Sequence, residues 1–292
     1  MSSNPAKKLR EMVLVDDRSL RRLDATNSLF KYLGALFNHR HFLVADARAR
    51  SFSSGRNTFL GRSWLFLDPL FQVAIYSVVF GLVMQTDKGV ENFVGFLAVG
   101  VTVFQAITRG YNSGSGVIQK SRALITSFHF PRIVVVMSRC LETWLNCSIP
   151  ILVGIVCAIV FQKCDHIGWQ LILVVPLYLL ILGFSFGLAC IFARLTAFIP
   201  DFKSLINVCT RGLFFVSGIF YSVDRFSGES VLLRVMTLNP VYQFLSAFRT
   251  IVLYGELPSL DSVLYLVIWT ISLVGVGFVF FWRAEERYAY VK

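Results

Sequence analysis

The residues able to do chemistry are scattered in this sequence, and their spacing does not suit catalysis. His39, His41, His129 and His166 show no HExxH spacing, and Cys140, Cys147, Cys157, Cys164, Cys190 and Cys209 form no CxxC pair. A metal cage or disulfide framework needs such spacing, so the cysteines read as small apolar packing residues. Asp68 and Glu142 lie in or beside long apolar blocks, but no nucleophile elbow accompanies them. No GxxxxGK[ST] phosphate loop exists either. What remains is charge set among apolar residues, chiefly Arg211 and Arg249. Arg211 lies about 12 Å beyond Lys203 at the rise of a helix, too deep for easy reach to water. A charge there faces a partner or a cavity, and Glu142 and Asp68 are the candidate structural partners. Arg139 and Glu142, three residues apart, read as a pair of their own. The chemistry is that of recognition and passage; no catalytic, cofactor-binding or metal-ligating residue is assigned.

The elements that must position these charges are membrane helices. The chain has 292 residues, 55% hydrophobic and only 15% charged, with mean hydropathy +0.65. Its apolar residues come in blocks of about 20, the length a bilayer core demands. Alternating strand patterns are absent, which excludes a barrel. The net charge of +11 is concentrated beside the spans, with twelve Lys and Arg against five acids in residues 1–62. That distribution marks cytoplasmic loops, and without a recognition motif it gives no case for nucleic acid. The first 28 residues are polar and do not resemble a signal peptide, so the N-terminus is expected inside.

Residues 1–27 read as a basic cytoplasmic tail, and 28–62 as an amphipathic helix plus linker. In "TNSLFKYLGALFNHRHFLV", Leu29, Leu33, Leu36, Phe37 and Val44 share one face, suiting the membrane interface. Residues 63–283 form the transmembrane domain and 284–292 a cytoplasmic tail. Six spans are expected: Trp64–Met84, Phe93 to about Val117, Ile133–Phe161, Trp169–Ala193, Phe202–Tyr221 and Ser262–Trp282. Asp68 and Pro69 suit an N-cap and first turn, marking a break near the cytoplasmic end of the first span. The apolar stretch "TLNPVYQFLSAFRTIVLYG" is not counted as a span. Pro240 breaks it, Arg249 would cost at least about 3 kcal/mol facing lipid, and a seventh crossing would put the basic C-terminus outside. Val231–Leu238 and Val241–Tyr254 are therefore expected to form a re-entrant hairpin on the outer side, within 225–257.

Between spans two and three, "QKSRALITSFHFPRIVVV" has no acidic residue and carries a short basic helix ended by Pro131. It suits either docking into a cleft on another protein or a plain connection. Here the chain resembles the membrane subunits of bacterial ATP-driven exporters of lipid-linked polysaccharides, the O-antigen, capsule, teichoic acid and galactan family. Their first span opens on Asn-Pro; "LGRSWLFLDPLFQVAIYSVVFG" is similar, with Asp68 for the Asn. Their coupling helix ends in aromatic-Pro-Arg, and "RALITSFHFPR" matches with Phe130, Pro131 and Arg132, while Thr126 and Ser127 replace a basic pair. "LFFVSGIFYSVDRF" resembles their fifth span, with Gly218 where Pro is common, and "LNPVYQFLSAFRTIVLYG" their outer gate. The resemblance covers about residues 29–283.

It implies an all-α homodimeric channel in the bacterial inner membrane, with both termini cytoplasmic and two separate ATP-binding cassette subunits holding ATP and Mg. The coupling loop, 119–132, would dock those subunits through Lys120, Arg122, Phe128, Phe130, Pro131 and Arg132. Channel lining would come from Trp64, Phe66, Phe71 and Tyr76 with Phe214, Phe215, Phe220 and Tyr221, since aromatic faces guide sugar rings without gripping one type; packing or lipid contact is the plainer role for any one of them. Arg211 would meet the substrate's phosphate or pair structurally. Asn239, Pro240 and Arg249 would belong to the outer gate. A drug or lipid exporter of the same fold is the nearest alternative. An integral-membrane transferase lacks its clustered carboxylates or histidines, and a secondary transporter lacks paired broken helices.

Overall fold

The computed structural model describes residues 32, 34, 36–37, 39–53, 60–83, 92–127, 130–162, 168–221 and 231–290. Every regular element among them is helical. In chain order they are α1 (Arg40–Ser53), α2 (Trp64–Tyr76), α3 (Phe93–Asn112), α4 (Val117–Lys120), α5 (Arg122–Ser127), α6 (Ile133–Phe161), α7 (Val174–Phe198), α8 (Phe202–Val216), α9 (Val231–Thr237), α10 (Pro240–Val252) and α11 (Leu260–Trp282). Short 3₁₀ turns precede α2 and α7 and follow α11, and α2 continues into a π-helical segment, Ser77–Val83.

Five stretches among the described residues are long and apolar enough to cross a bilayer: Trp64–Gly81, Phe93–Asn112, Ile133–Phe161, Trp169–Phe198 and Leu260–Trp282. The most enclosed is α3, where Phe96, Leu97, Val101, Phe104 and Ile107 are all buried. Apart from Gln105 and Arg109 it is apolar nearly all round, as suits a helix in the middle, and α2, α6, α7 and α10 pack around it. The outer helices instead expose apolar residues, such as Leu152 and Val156 of α6, Val175 of α7 and Ile268 and Ile271 of α11. In water such a surface would aggregate; against lipid it costs nothing. The interface helix reaches Ser53, farther than its apolar period suggests. It lies on α6, where Leu43 and Ala47 are buried and Ser51 Oγ donates to Asn146 Oδ1 at 2.7 Å.

Two expectations change. Asp68 is not an N-cap: α2 starts a turn earlier, after Ser63, and Pro69 sits inside it. The 3₁₀ turn Gly61–Ser63 already starts the coil, and an internal Pro here removes one backbone bond, to the carbonyl four residues back. The fifth stretch is shorter than read. As a helix, α8 stops at Val216 after 15 residues, about 22 Å, because Gly218 turns to φ +64. That conformation is closed to Pro, whose ring fixes φ near −65°.

Candidate functional site

The end of the bundle that holds the turn after α3 and the turn after α11 gathers segments far apart in sequence. The turn after α3 is anchored on the end of α7: the Gly116 amide donates to Thr196 Oγ1 at 2.9 Å and Gln119 Nε2 to the Thr196 carbonyl at 2.5 Å. On α4 and α5, Val117, Ile118 and Ile125 are buried, while Lys120 and Arg122 are exposed. Of the expected coupling residues, Phe128 lies outside the described residues. Phe130 is half-buried, its ring 5.8 Å from Phe42 and 6.3 Å from His39 of the interface segment. Pro131 ends the loop, half-buried.

Arg132 turns inward, to a partner missing from the sequence reading. Its backbone amide donates to Glu285 Oε1 at 2.7 Å, and its guanidinium pairs with that carboxylate at 3.8 Å and donates to the Glu285 carbonyl. Tyr32 donates to Glu285 Oε2 at 2.9 Å. One buried carboxylate thus ties together the interface segment, the start of α6 and the turn after α11. Burial pushes the Glu285 carboxyl above the ordinary range, although the Arg132 amide, the Tyr32 hydroxyl and the Arg132 charge all pull it back. Tyr32 is pushed up in turn, by burial first and then by the Glu285 charge. Below them Tyr288 stacks on Phe281 with centroids 4.6 Å apart, closing the core of this end. On the neighbouring α1, burial raises the Asp46 carboxyl but hydrogen bonds from Arg50 and Ser138 outweigh it, holding it below the ordinary range.

The opposite end is organised by the hairpin. Asn239 Oδ1 accepts from the Val241 amide at 3.0 Å, and Pro240 occupies the first turn of α10, so the pair that ends one helix begins the next. Asn239 Nδ2 also donates to Ser217 Oγ at 3.1 Å, fastening the hairpin to the end of α8. Arg249 is buried at 4% exposure. Its guanidinium donates to the carbonyls of Gly218 (2.9 Å), Ile219 (3.1 Å) and Phe96 (3.3 Å), and lies 3.4 Å from the centroid of the Phe96 ring. The first two are carbonyls that a longer α8 would have kept for itself; the third lies within α3. Gly100 makes the room, since a Cβ there would come within 2.4 Å of Arg249 Nη2. The far end of α6 joins this region, where the Gln162 side chain donates to the Leu253 carbonyl.

The expected channel aromatics divide into two groups. Phe220 is buried, Tyr76, Phe214 and Tyr221 are half-buried, and the first three form one cluster with Phe80: Phe80 stacks on Phe220 at 3.9 Å, Tyr76 meets Phe220 edge-on at 5.4 Å, and Phe214 meets Phe220 at 5.1 Å. Trp64, Phe66, Phe71 and Phe215 are instead exposed on the protomer surface. Arg211 is also exposed. Its two expected partners are held elsewhere, Glu142 by Arg139 at 3.0 Å and Asp68 by Arg109 at 2.9 Å.

Three distant segments meet at one end and the hairpin is held at the other, with α6 reaching both. Residues 48–253 match the family described as ABC-2 type transporter. The chain is similar to an O-antigen export system permease protein of Myxococcus xanthus, 22% identical over 261 residues, 89% of this chain and 99% of that protein. A protein of the same description from Klebsiella pneumoniae is 23% identical over 238 residues, 80% of this chain and 88% of the relative. A polysialic acid transport protein of Escherichia coli is 23% identical over 229 residues, 78% and 87% of the two chains.

Proposed function

The chain belongs to the ABC-2 type transporter family, and from that premise we propose that it is the membrane-spanning subunit of an exporter moving a lipid-linked polysaccharide across the bacterial inner membrane. Two copies surround the path, and two copies of a separate subunit bind ATP and Mg and supply the work. The observation that carries the reading is the cytoplasmic turn: Lys120 is on the surface, as is Arg122, while Phe130 and Arg132 are bound into the bundle. A push on that turn is delivered to α1, α6 and the C-terminal turn together. The relatives' names supply the substrate class, O-antigen and polysialic acid. The exposed Trp64, Phe66, Phe71 and Phe215 suit a path between protomers along which sugar faces slide. In this reading α8 with the turn after it makes the sixth crossing, the hairpin stays on the outer side, and both termini are cytoplasmic.

The test is hydrolysis by the reconstituted complex with its ATP-binding partner. Lipid-linked glycan is expected to stimulate it, and Phe130→Ala to leave hydrolysis while abolishing export. Stimulation by small amphipathic drugs and none by glycan would replace this reading with a drug exporter. Unchanged export in Phe130→Ala would remove the coupling role of the turn.

A further inference from the structure

Across the inner halves of α2 and α3 runs a ladder of polar side chains that no part of the export reading has used. Asp68 and Gln72 lie one turn apart on α2, Gln105 and Arg109 one turn apart on α3, and the two pairs interlock. Arg109 Nη2 donates to Asp68 Oδ2 at 2.9 Å, Gln72 Nε2 to Asp68 Oδ1 at 3.0 Å, and Gln105 Nε2 to Gln72 Oε1. Gln72 stands about 12 Å along α2 from Trp64, and Gln105 about 10 Å back from the end of α3, so the ladder climbs well into the membrane. It is not sealed inside the protomer: the Asp68 and Arg109 side chains are 43% and 42% exposed.

Hydrocarbon cannot solvate an open ion pair and amides at that depth. Dry burial of this set also needs every polar atom partnered, yet Gln105 Oε1 has no partner among the described residues. The charges cancel, which disfavours an anionic phosphate as the main ligand. A carboxylate that accepts, a guanidinium that donates and amides that do both suit neutral hydroxyl groups in any orientation. Trp64 and Phe71, both exposed, fall on the same face of α2 as Asp68 by helical spacing and offer flat apolar surface beside the polar row. Polar rungs beside aromatic planes match the two faces of a sugar chain, its hydroxyls and its C–H surface.

We infer that this ladder is a wet hydroxyl-binding rail that meets the exported glycan in the inner half of the membrane. It rests on the export reading and names the site at which the sugar part of that substrate is first held. Because the rungs exchange partners among themselves, a sugar hydroxyl can replace one internal hydrogen bond at a time. The rail therefore takes glycans by their hydroxyl density and does not select one sugar.

The test uses the full chain assembled with its ATP-binding partner in liposomes. Gln72→Cys and Gln105→Cys chains, one on each helix, are treated with a sulfonate-bearing methanethiosulfonate, and modification of each peptide is read by mass spectrometry. Val276→Cys, on an exposed apolar face of α11, gives the lipid-facing rate. Both rail chains are expected to react at least about tenfold faster than that reference, because a charged reagent follows water. Maltoheptaose, a neutral oligosaccharide, is expected to slow them by about threefold or more, and polyvinylpyrrolidone, a polymer whose repeat units carry no hydroxyl, to leave them unchanged at equal viscosity. Rates no faster than the Val276→Cys reference would make the ladder dry glue between helices and overturn the inference. Fast modification without protection would leave a water path that binds no sugar, and would overturn it equally. Protection in an assembly whose hydrolysis ignores lipid-linked glycan would uphold the rail and count against the export reading alone.

Discussion

Among the described residues each end of the bundle buries one charge, and the two are held by opposite means. Arg249 near the hairpin meets three backbone carbonyls and an aromatic face, and no carboxylate pairs with it among the described residues. Glu285 at the opposite end is held by a side-chain hydroxyl, a backbone amide and a guanidinium. The Arg249 arrangement depends on backbone shape, because two of its acceptors lie in the turn after α8 and the third within α3. The Glu285 arrangement depends on side chains from three distant segments, and its charge costs more in place than in water. Where the backbone supplies the partners, geometry is fixed; where side chains supply them, the contact can be rebuilt or titrated.

Breaking the carbonyl-bound charge should have the largest effect. Arg249→Leu leaves three carbonyls without their donor and a void beside Phe96, and is expected to destabilise the folded subunit by about 3–5 kcal/mol, read by thermal unfolding in detergent. Arg249→Lys, with a point charge unable to serve all three carbonyls, should recover only part of that. Gly100→Ala attacks the same site from its packing side, and about 1–3 kcal/mol is expected from the same measurement. The Glu285 clamp should be gentler and pH-dependent. Glu285→Gln keeps the shape and removes the ionisation. Since the folded carboxyl lies above its ordinary value of 4.5, the wild type's advantage over the variant should be fullest below that value and shrink as pH rises through the folded pKa. A pH-independent difference would mean that burial does not govern this group. Asp46 sharpens the contrast with the smallest change. Its folded value lies below the ordinary 3.8, so Asp46→Asn should lose stability present above that pH and absent in acid, by less than about 1 kcal/mol for a partly exposed pair.

The membrane helices were legible because a bilayer demands long apolar runs, and runs are a local property of sequence. The break at Asn239 and Pro240 was legible for a similar reason: cap chemistry acts over two or three residues. The start of α2 at Trp64 was read correctly, but the role of Asp68 and Pro69 was misread because Asp-Pro can cap a helix or lie inside one, and the choice fell to the turn at Gly61–Ser63. The end of α8 was misread because its boundary depends on Arg249, some thirty residues away. Glu285 was missed altogether. It looked like an ordinary tail residue, and its partners lie 153 and 253 positions away with no period to connect them. The ladder was half visible, in the helical spacing of Asp68 with Gln72 and of Gln105 with Arg109, but nothing in either pair says that the two helices face each other. Of the aromatics, Trp64, Phe66, Phe71, Tyr76, Phe214 and Phe215 lie on the expected helices, Phe220 and Tyr221 fall beyond the end of α8, and spacing could not separate Phe220, packed inside, from Phe215, facing out.

The length of α6 has a mechanical consequence. At 29 residues it is about 43 Å long, fixed at its foot by Arg132 on Glu285 and touching the hairpin at its head through Gln162 on Leu253. A tilt of the whole helix by only about 5° at the foot would swing the head sideways by about 4 Å, and Pro150 near its midpoint, which removes one backbone bond, is where the helix would bend instead.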